Sequence, residues 1–188
     1  MSFNPTRTGL LPVLLSAFAL PSTAALAAGS QSGGHGHPEF GEPGKAADAR
    51  RTVEVVMSDV FYEPGNIAVV EGETVRFMIR NEGSIVHEFN IGTPHMHAEH
   101  QKEMQMMVDH GVLEADRINH DMMKMDMGNG HTMEHDDPNS VLLEPGKSAE
   151  IVWKFKQAMD LEFACNVPGH YDAGMAGSFE FVHKLAKN

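Results

Sequence analysis

The sequence predicts an all-β protein, a Greek-key β-sandwich interrupted by a partly helical insert. Three observations carry that expectation. Short runs that alternate apolar and polar residues recur every ten or so positions, punctuated by Gly, Pro, Asn and Glu. Between Phe89 and Trp153 there is no aromatic residue at all, and the alternation lapses across residues 92–139. The same strand-and-turn grammar then resumes and continues almost to the C-terminus.

Residues 1–27 read as a secretory leader. Arg7 precedes an apolar run from Gly9 to Leu20, and Ala25-Leu26-Ala27 supplies a small-residue cleavage site. Pro12, Ser16, Pro21, Ser22 and Thr23 break the stretch, leaving less than the roughly 20 continuous apolar residues of a membrane helix. The expected product is an exported chain with no membrane span after signal cleavage. Residues 28–51 are rich in Gly, Pro, Ala and His without an apolar period, and read as a flexible tail carrying His35 and His37.

The β domain is expected over residues 52–183. Val53, Val55 and Met57 alternate; Glu63 to Asn66 make a turn; Ile67 to Val70 form a short strand. Val75, Phe77 and Ile79 alternate again, and Val86 to Ile91 make a strand that carries His87. After the insert come strands at Val141–Leu143, Ile151–Phe155, Leu161–Ala164 and Ser178–Val182.

The insert, residues 92–139, holds nine of the 14 Met and seven of the 12 His. Good helix formers from Ala98 to Val108 predict one helix, and a second is expected from Leu113 to Met125 after Gly111. Met ordinarily fills irregular gaps in a core. Here the only larger aliphatics beside it are Val108, Val112, Leu113 and Ile118, which favours soft-metal binding over packing.

Charge and cysteine count narrow the functional classes. The formal net charge of −12 excludes a nucleic-acid partner and favours cations. One Cys forbids an internal disulfide; in an exported protein the lone thiol is reactive, intermolecular or a metal ligand.

The neighbours of that thiol favour the ligand. Cys165 is followed by His170 and Met175 in a Cys-x4-His-x4-Met loop closed by Pro168-Gly169 and flanked by Gly174 and Gly177. A thiolate, imidazole nitrogen and a weak axial thioether are the donors of a redox-active copper site, which needs one more His. His87, at the start of an apolar strand, supplies it.

The His87-Glu88-Phe89 segment, the Cys165–His170–Met175 loop and the strand grammar together resemble the cupredoxins, the blue-copper β-sandwich family. The resemblance covers residues 52–92 and 140–183. It implies a cupredoxin-like fold, with His87, Cys165 and His170 as equatorial ligands and Met175 as the axial ligand of a type 1 copper site. The His- and Met-rich insert is similar to that of periplasmic copper-tolerance cupredoxins of the CopI type. Many cupredoxins carry Asn or Ser after the first ligand His, where this sequence has Glu88.

The expected function is therefore periplasmic copper binding for tolerance, cycling Cu(II) and Cu(I), with a redox protein or a copper-export component as partner. The alternative is a mobile electron carrier. An enzyme is not expected: multicopper oxidases need several His-x-His pairs, and a binuclear centre needs two Cys. A second, more exchangeable copper region is expected at His95, Met96, His97 and His100, near the root of the insert. Along an extended strand that root would lie roughly 15–17 Å from the main site.

Overall fold

The computed structural model describes residue 1, residues 39–124 and residues 137–182. The secretory leader, His35, His37 and the insert segment 125–136, with its three Met and two His, lie outside the described residues.

Ten strands form two five-stranded sheets. In chain order they are β1 Gly41–Pro43, β2 Arg51–Ser58, β3 Phe61–Glu63, β4 Asn66–Val69, β5 Thr74–Asn81 and β6 His87–Gly92, followed by β7 Ser140–Leu143, β8 Ser148–Phe155, β9 Glu162–Ala164 and β10 Ala176–Phe181. One sheet runs β1-β8-β5-β2-β3 and the other β4-β10-β9-β6-β7. Two neighbouring pairs, β2 with β5 and β4 with β10, are parallel. Parallel neighbours cannot be joined by a tight hairpin, so the chain crosses between sheets, as Greek-key connections require.

The inner faces carry the alternating residues that the sequence marked. Val55, Met57, Val75, Phe77, Ile79, Phe89, Ile91, Trp153, Phe155 and Phe163 are all buried in one cluster. Phe163 lies 5.3 Å from Phe89 and 5.1 Å from Phe179, centroid to centroid. Burial of each such ring contributes roughly 1.5–3 kcal/mol. A Cβ on Gly177 would sit 2.2 Å from the Phe163 ring, so this position on β10 admits only glycine without a shift of the core.

Two expectations about the edges change. Residues 39–51 are not a loose tail: Phe40 is buried and stacks on Trp153 at 5.1 Å, and β1 pairs with β8. Val60 adopts a left-handed φ of 74° in the turn between β2 and β3, and β3 was not anticipated.

The insert begins with α1, Pro94–Asp109, earlier than its helix formers suggested. Thr93 caps it by accepting the Met96 N–H, and Pro94 sits where a missing N–H is harmless. The expected second helix shrinks to α2, His120–Met123, capped by Asn119. Leu113 to Ile118 instead turns back on itself through a β-bridge between those two residues. Met104 and Met107 are buried with Val86, Val112, Leu113 and Ile118 in a second small core. For those two Met, packing is the observed role.

Candidate metal centre

The Cys165 loop is the connection between β9 and β10, antiparallel neighbours in the second sheet. Its ends are tied, because Cys165 donates its N–H to the Met175 carbonyl at 3.1 Å. Met175 donates to the His170 carbonyl and His170 to the Val167 carbonyl, each at 3.0 Å. Gly169 and Gly174 take left-handed φ values of 86° and 97°, which side chains strain to adopt. The loop backbone thus fixes the spacing of the three candidate ligands.

His87 opens β6, which pairs with β9 and so stands beside the loop. Cys165 Sγ lies 3.3 Å from His170 Nδ1 and 4.0 Å from His87 Nδ1. Three ligand atoms, one from each residue, fall within 4.8 Å of one another, the one such His/Cys/Asp/Glu group among the described residues. Met175 is fully buried in the same cluster as Cys165.

The electrostatics suit a cation. Burial pushes the Cys165 thiol up to about 12, aided by the negative Glu88 and opposed by backbone N–H groups of Glu88 and Val167 aimed at the sulfur. Burial also lowers His87 and His170, with their mutual repulsion adding to the effect on His170. Neutral imidazoles keep a lone pair for a metal. A dry thiol flanked by two such lone pairs needs a positive charge before it can ionise.

Asp59, which the sequence did not single out, orients His87. Its Oδ1 lies 3.1 Å from His87 Nε2 and accepts the Ser84 N–H at 2.8 Å, while Oδ2 accepts the Ser84 hydroxyl at 2.6 Å. Those hydrogen bonds, Ser84 first and His87 next, hold Asp59 down to about 2. An ionised carboxylate only accepts, so the ring hydrogen is on Nε2 and Nδ1 faces Cys165 with its lone pair. The approach depends on Gly83, where a Cβ would lie 2.4 Å from Asp59 Oδ1 and 2.8 Å from His87 Nε2. No sequence pattern announces such a contact between residues 28 positions apart.

Glu88, where many cupredoxins carry Asn or Ser, meets the sulfur through its main chain. Its backbone N–H, not its side chain, reaches the Cys165 sulfur, at 3.3 Å. Any residue but proline at this position offers that donor. The side chain points to the opposite face of β6 and is fully buried.

The four residues of the expected second copper region take different roles, with only His97 and His100 joined in one hydrogen-bond network. His95 is exposed, and Met96 packs against the main core. His97 is buried with Nδ1 3.1 Å from Asn166 Nδ2, and His100 Nε2 lies 2.9 Å from Glu88 Oε1. Beyond the root of the insert, α1 packs back on β6 and brings His97 and His100 against Asn166 and Glu88, the residues next to Cys165 and His87.

Comparison with known proteins agrees with this architecture. A family model described as a cupredoxin-like domain matches residues 16–105, a span that includes His87 and ends within α1. The copper-resistant cuproprotein CopI of Pseudomonas aeruginosa is 52% identical over 157 residues, 80% of this chain and 86% of the relative. CopI of Rubrivivax gelatinosus is 40% identical over 178 residues, 89% of this chain and 94% of the relative. Among solved structures, auracyanin B shares the fold with a TM-score of 0.54 at 18% identity, over 76% of this chain and 96% of that one. A relative more than half identical along most of both chains, on a two-sheet sandwich of this topology, shows that the chain belongs to the cupredoxins and within them to the CopI group.

Proposed function

We propose that this chain is a periplasmic copper-binding protein for copper tolerance, built around a type 1 site. His87, Cys165 and His170 would hold the metal as equatorial ligands and Met175 would be axial. The observation that carries the reading is the closure of a buried thiol and two neutral imidazoles within 4.8 Å, from residues 78 positions apart. That donor set fits copper, which the thiolate and thioether would hold as Cu(I) and the imidazoles as Cu(II). The relatives named copper-resistant cuproproteins support the tolerance role.

Copper supplies one-electron exchange at such a site. The chain's own residues would hold the metal in a largely buried site and orient its ligands, a binding and hand-over role rather than autonomous catalysis. The leader at residues 1–27 supports export, and no described helix is long and apolar enough to cross a membrane. Hand-over would be to a redox protein or a copper-export component. Extra copper would be taken by exposed insert residues, among them His95, Met106, His110 and His120.

A second reading, a mobile electron carrier, has one observation in its favour. His170 is the candidate ligand that reaches solvent, beside the half-exposed Val167, Pro168 and Tyr171. Copper stoichiometry separates the two. A tolerance protein binds more than one copper per chain, and loses the excess when the exposed insert His and Met are substituted; a fixed single copper favours the carrier. The type 1 assignment is tested by Cys165→Ala, which should abolish the intense visible thiolate-to-copper band. Survival of that band would refute it.

A further inference from the structure

The strand β6 divides the molecule chemically. His87, Phe89 and Ile91 point inward, toward the sandwich core and the candidate metal site. Glu88 and Asn90 point outward, where a strand of this kind ordinarily meets water, yet all six residues of β6 are buried. The cover is α1. Its stripe His97, His100, Met104 and Met107, at spacings of three and four, faces the sandwich. The insert and the metal centre are therefore back to back across one strand.

Glu88 bridges the two sides. Its backbone N–H donates to Cys165 Sγ at 3.3 Å. On the outer face its Oε2 accepts both the backbone N–H of Asn166, at 3.1 Å, and the Asn166 Nδ2–H, at 2.9 Å. Asn166 is the residue next to Cys165. The other carboxylate oxygen, Oε1, accepts the Ser140 hydroxyl at 2.6 Å and faces His100 Nε2 at 2.9 Å, with Asn90 Nδ2 at 3.3 Å. One residue thus grips the sulfur from one side and the peptide after it from the other. The other partners seen for its side chain among the described residues are Asn90 on β6, Ser140 on β7 and His100 on α1.

We propose that Glu88 is a positioning residue that clamps Cys165 and makes the geometry of the metal loop depend on the docking of α1 through His100. The proposal rests on the type 1 reading. A buried carboxylate is tolerated only when paired and fully hydrogen-bonded. His100 brings one such partner, an N–H donor at 2.9 Å from Oε1. Without it, Oε1 either draws in water or rotates toward its remaining donors, and the two bonds from Oε2 to Asn166 follow. The peptide between Cys165 and Asn166 then loses its anchor. A purely structural pair would behave otherwise: losing it would loosen α1 and lower stability, with no change at the sulfur.

The test uses the full exported chain loaded with one equivalent of Cu(II). Glu88→Gln, His100→Ala and His100→Gln are compared with the unsubstituted protein. The readouts are the energy and intensity ratio of the thiolate-to-copper bands, the copper hyperfine splitting, and Cu(II) affinity by chelator competition. Glu88→Gln and His100→Ala should shift bands and hyperfine splitting together and weaken Cu(II) binding about 10-fold, the lower end of the cost for groups that orient metal ligands. His100→Gln restores an N–H donor toward Oε1 and should recover most of the original spectrum. Unchanged spectra and affinity in His100→Ala, with only a lower unfolding midpoint, would overturn the clamp. That variant changes a helix side chain, so it stays decisive if Glu88→Gln fails to fold. If the unsubstituted protein shows no thiolate band, the type 1 reading fails and takes the clamp with it.

Discussion

Asp59→Ala should weaken Cu(II) binding about 10-fold while leaving the fold intact. Asp59 fixes the tautomer of His87 through a 3.1 Å contact to Nε2, and is itself held by two bonds to Ser84. Carboxylates that orient metal-bound imidazoles contribute about 10- to 100-fold to affinity, or roughly 1.4–2.7 kcal/mol. Two features decide where in that range this one falls. The His87 ring is fully buried, so packing still restrains it after the carboxylate is gone. The Asp59 side chain is 45% exposed, so water can take over part of its hydrogen bond to Nε2. Both argue for the lower end. The assay is chelator competition at neutral pH, with the unfolding midpoint of the metal-free protein as a control. Asp59→Asn keeps an acceptor oxygen for Nε2–H and should fall between the two. An Asp59→Ala protein whose affinity stays within about twofold of the original would show that packing alone orients His87.

Other perturbations probe the scaffold and its pH response. Met104→Ala empties a fully buried position in the second core and should cost about 2–5 kcal/mol in denaturant unfolding. Phe40→Ala removes the stack on Trp153 and should cost about 3 kcal/mol; an unmoved midpoint would contradict the packing of residues 39–43. For the metal-free protein, burial works against a charged His100, but attraction and hydrogen bonding to Glu88, then Glu103, outweigh it and raise the imidazole from 6.5 to about 9. A raised basic group stabilises the fold fully below its unfolded value and loses that contribution as pH climbs through the folded one. Stability should therefore fall between pH 6.5 and about 9, by on the order of 3 kcal/mol, and His100→Ala should flatten that slope.

Period-2 alternation was enough to locate the inner faces of β2, β5, β6 and β8, because burial on one face leaves an imprint on every second residue. The metal loop was legible for a related reason: its three candidate ligands lie within 11 consecutive residues, and a lone Cys in an exported chain is itself informative. What escaped notice depends on long-range contact. β1 shows little apolar pattern of its own, since it is three residues long and held by the Phe40–Trp153 stack and its pairing with β8. Asp59 and Asn166 look like ordinary turn residues until β6 and β9 set them beside His87 and Glu88. The second helix was overextended because helix formers between Leu113 and Met125 were judged without the bridge that folds Leu113 against Ile118.

The insert divides into two chemistries that its composition blurred into one. A stripe every three or four residues along α1 is spent on docking: Met104 and Met107 fill the second core, and His97 and His100 meet Asn166 and Glu88. Helical geometry puts His95, Met106 and His110 elsewhere, all exposed. Any additional copper would have to compete for the first set with a buried hydrogen-bond network and a packed core, but the second set is open to solvent, with only His110 Nδ1 engaged, on the Met106 carbonyl at 2.8 Å. On the proposed tolerance reading, exchangeable copper would therefore go to the exposed set. The docked set faces the metal loop instead, so the helix that carries the extra donors also bears, through Glu88, on the residue that would hold the principal copper.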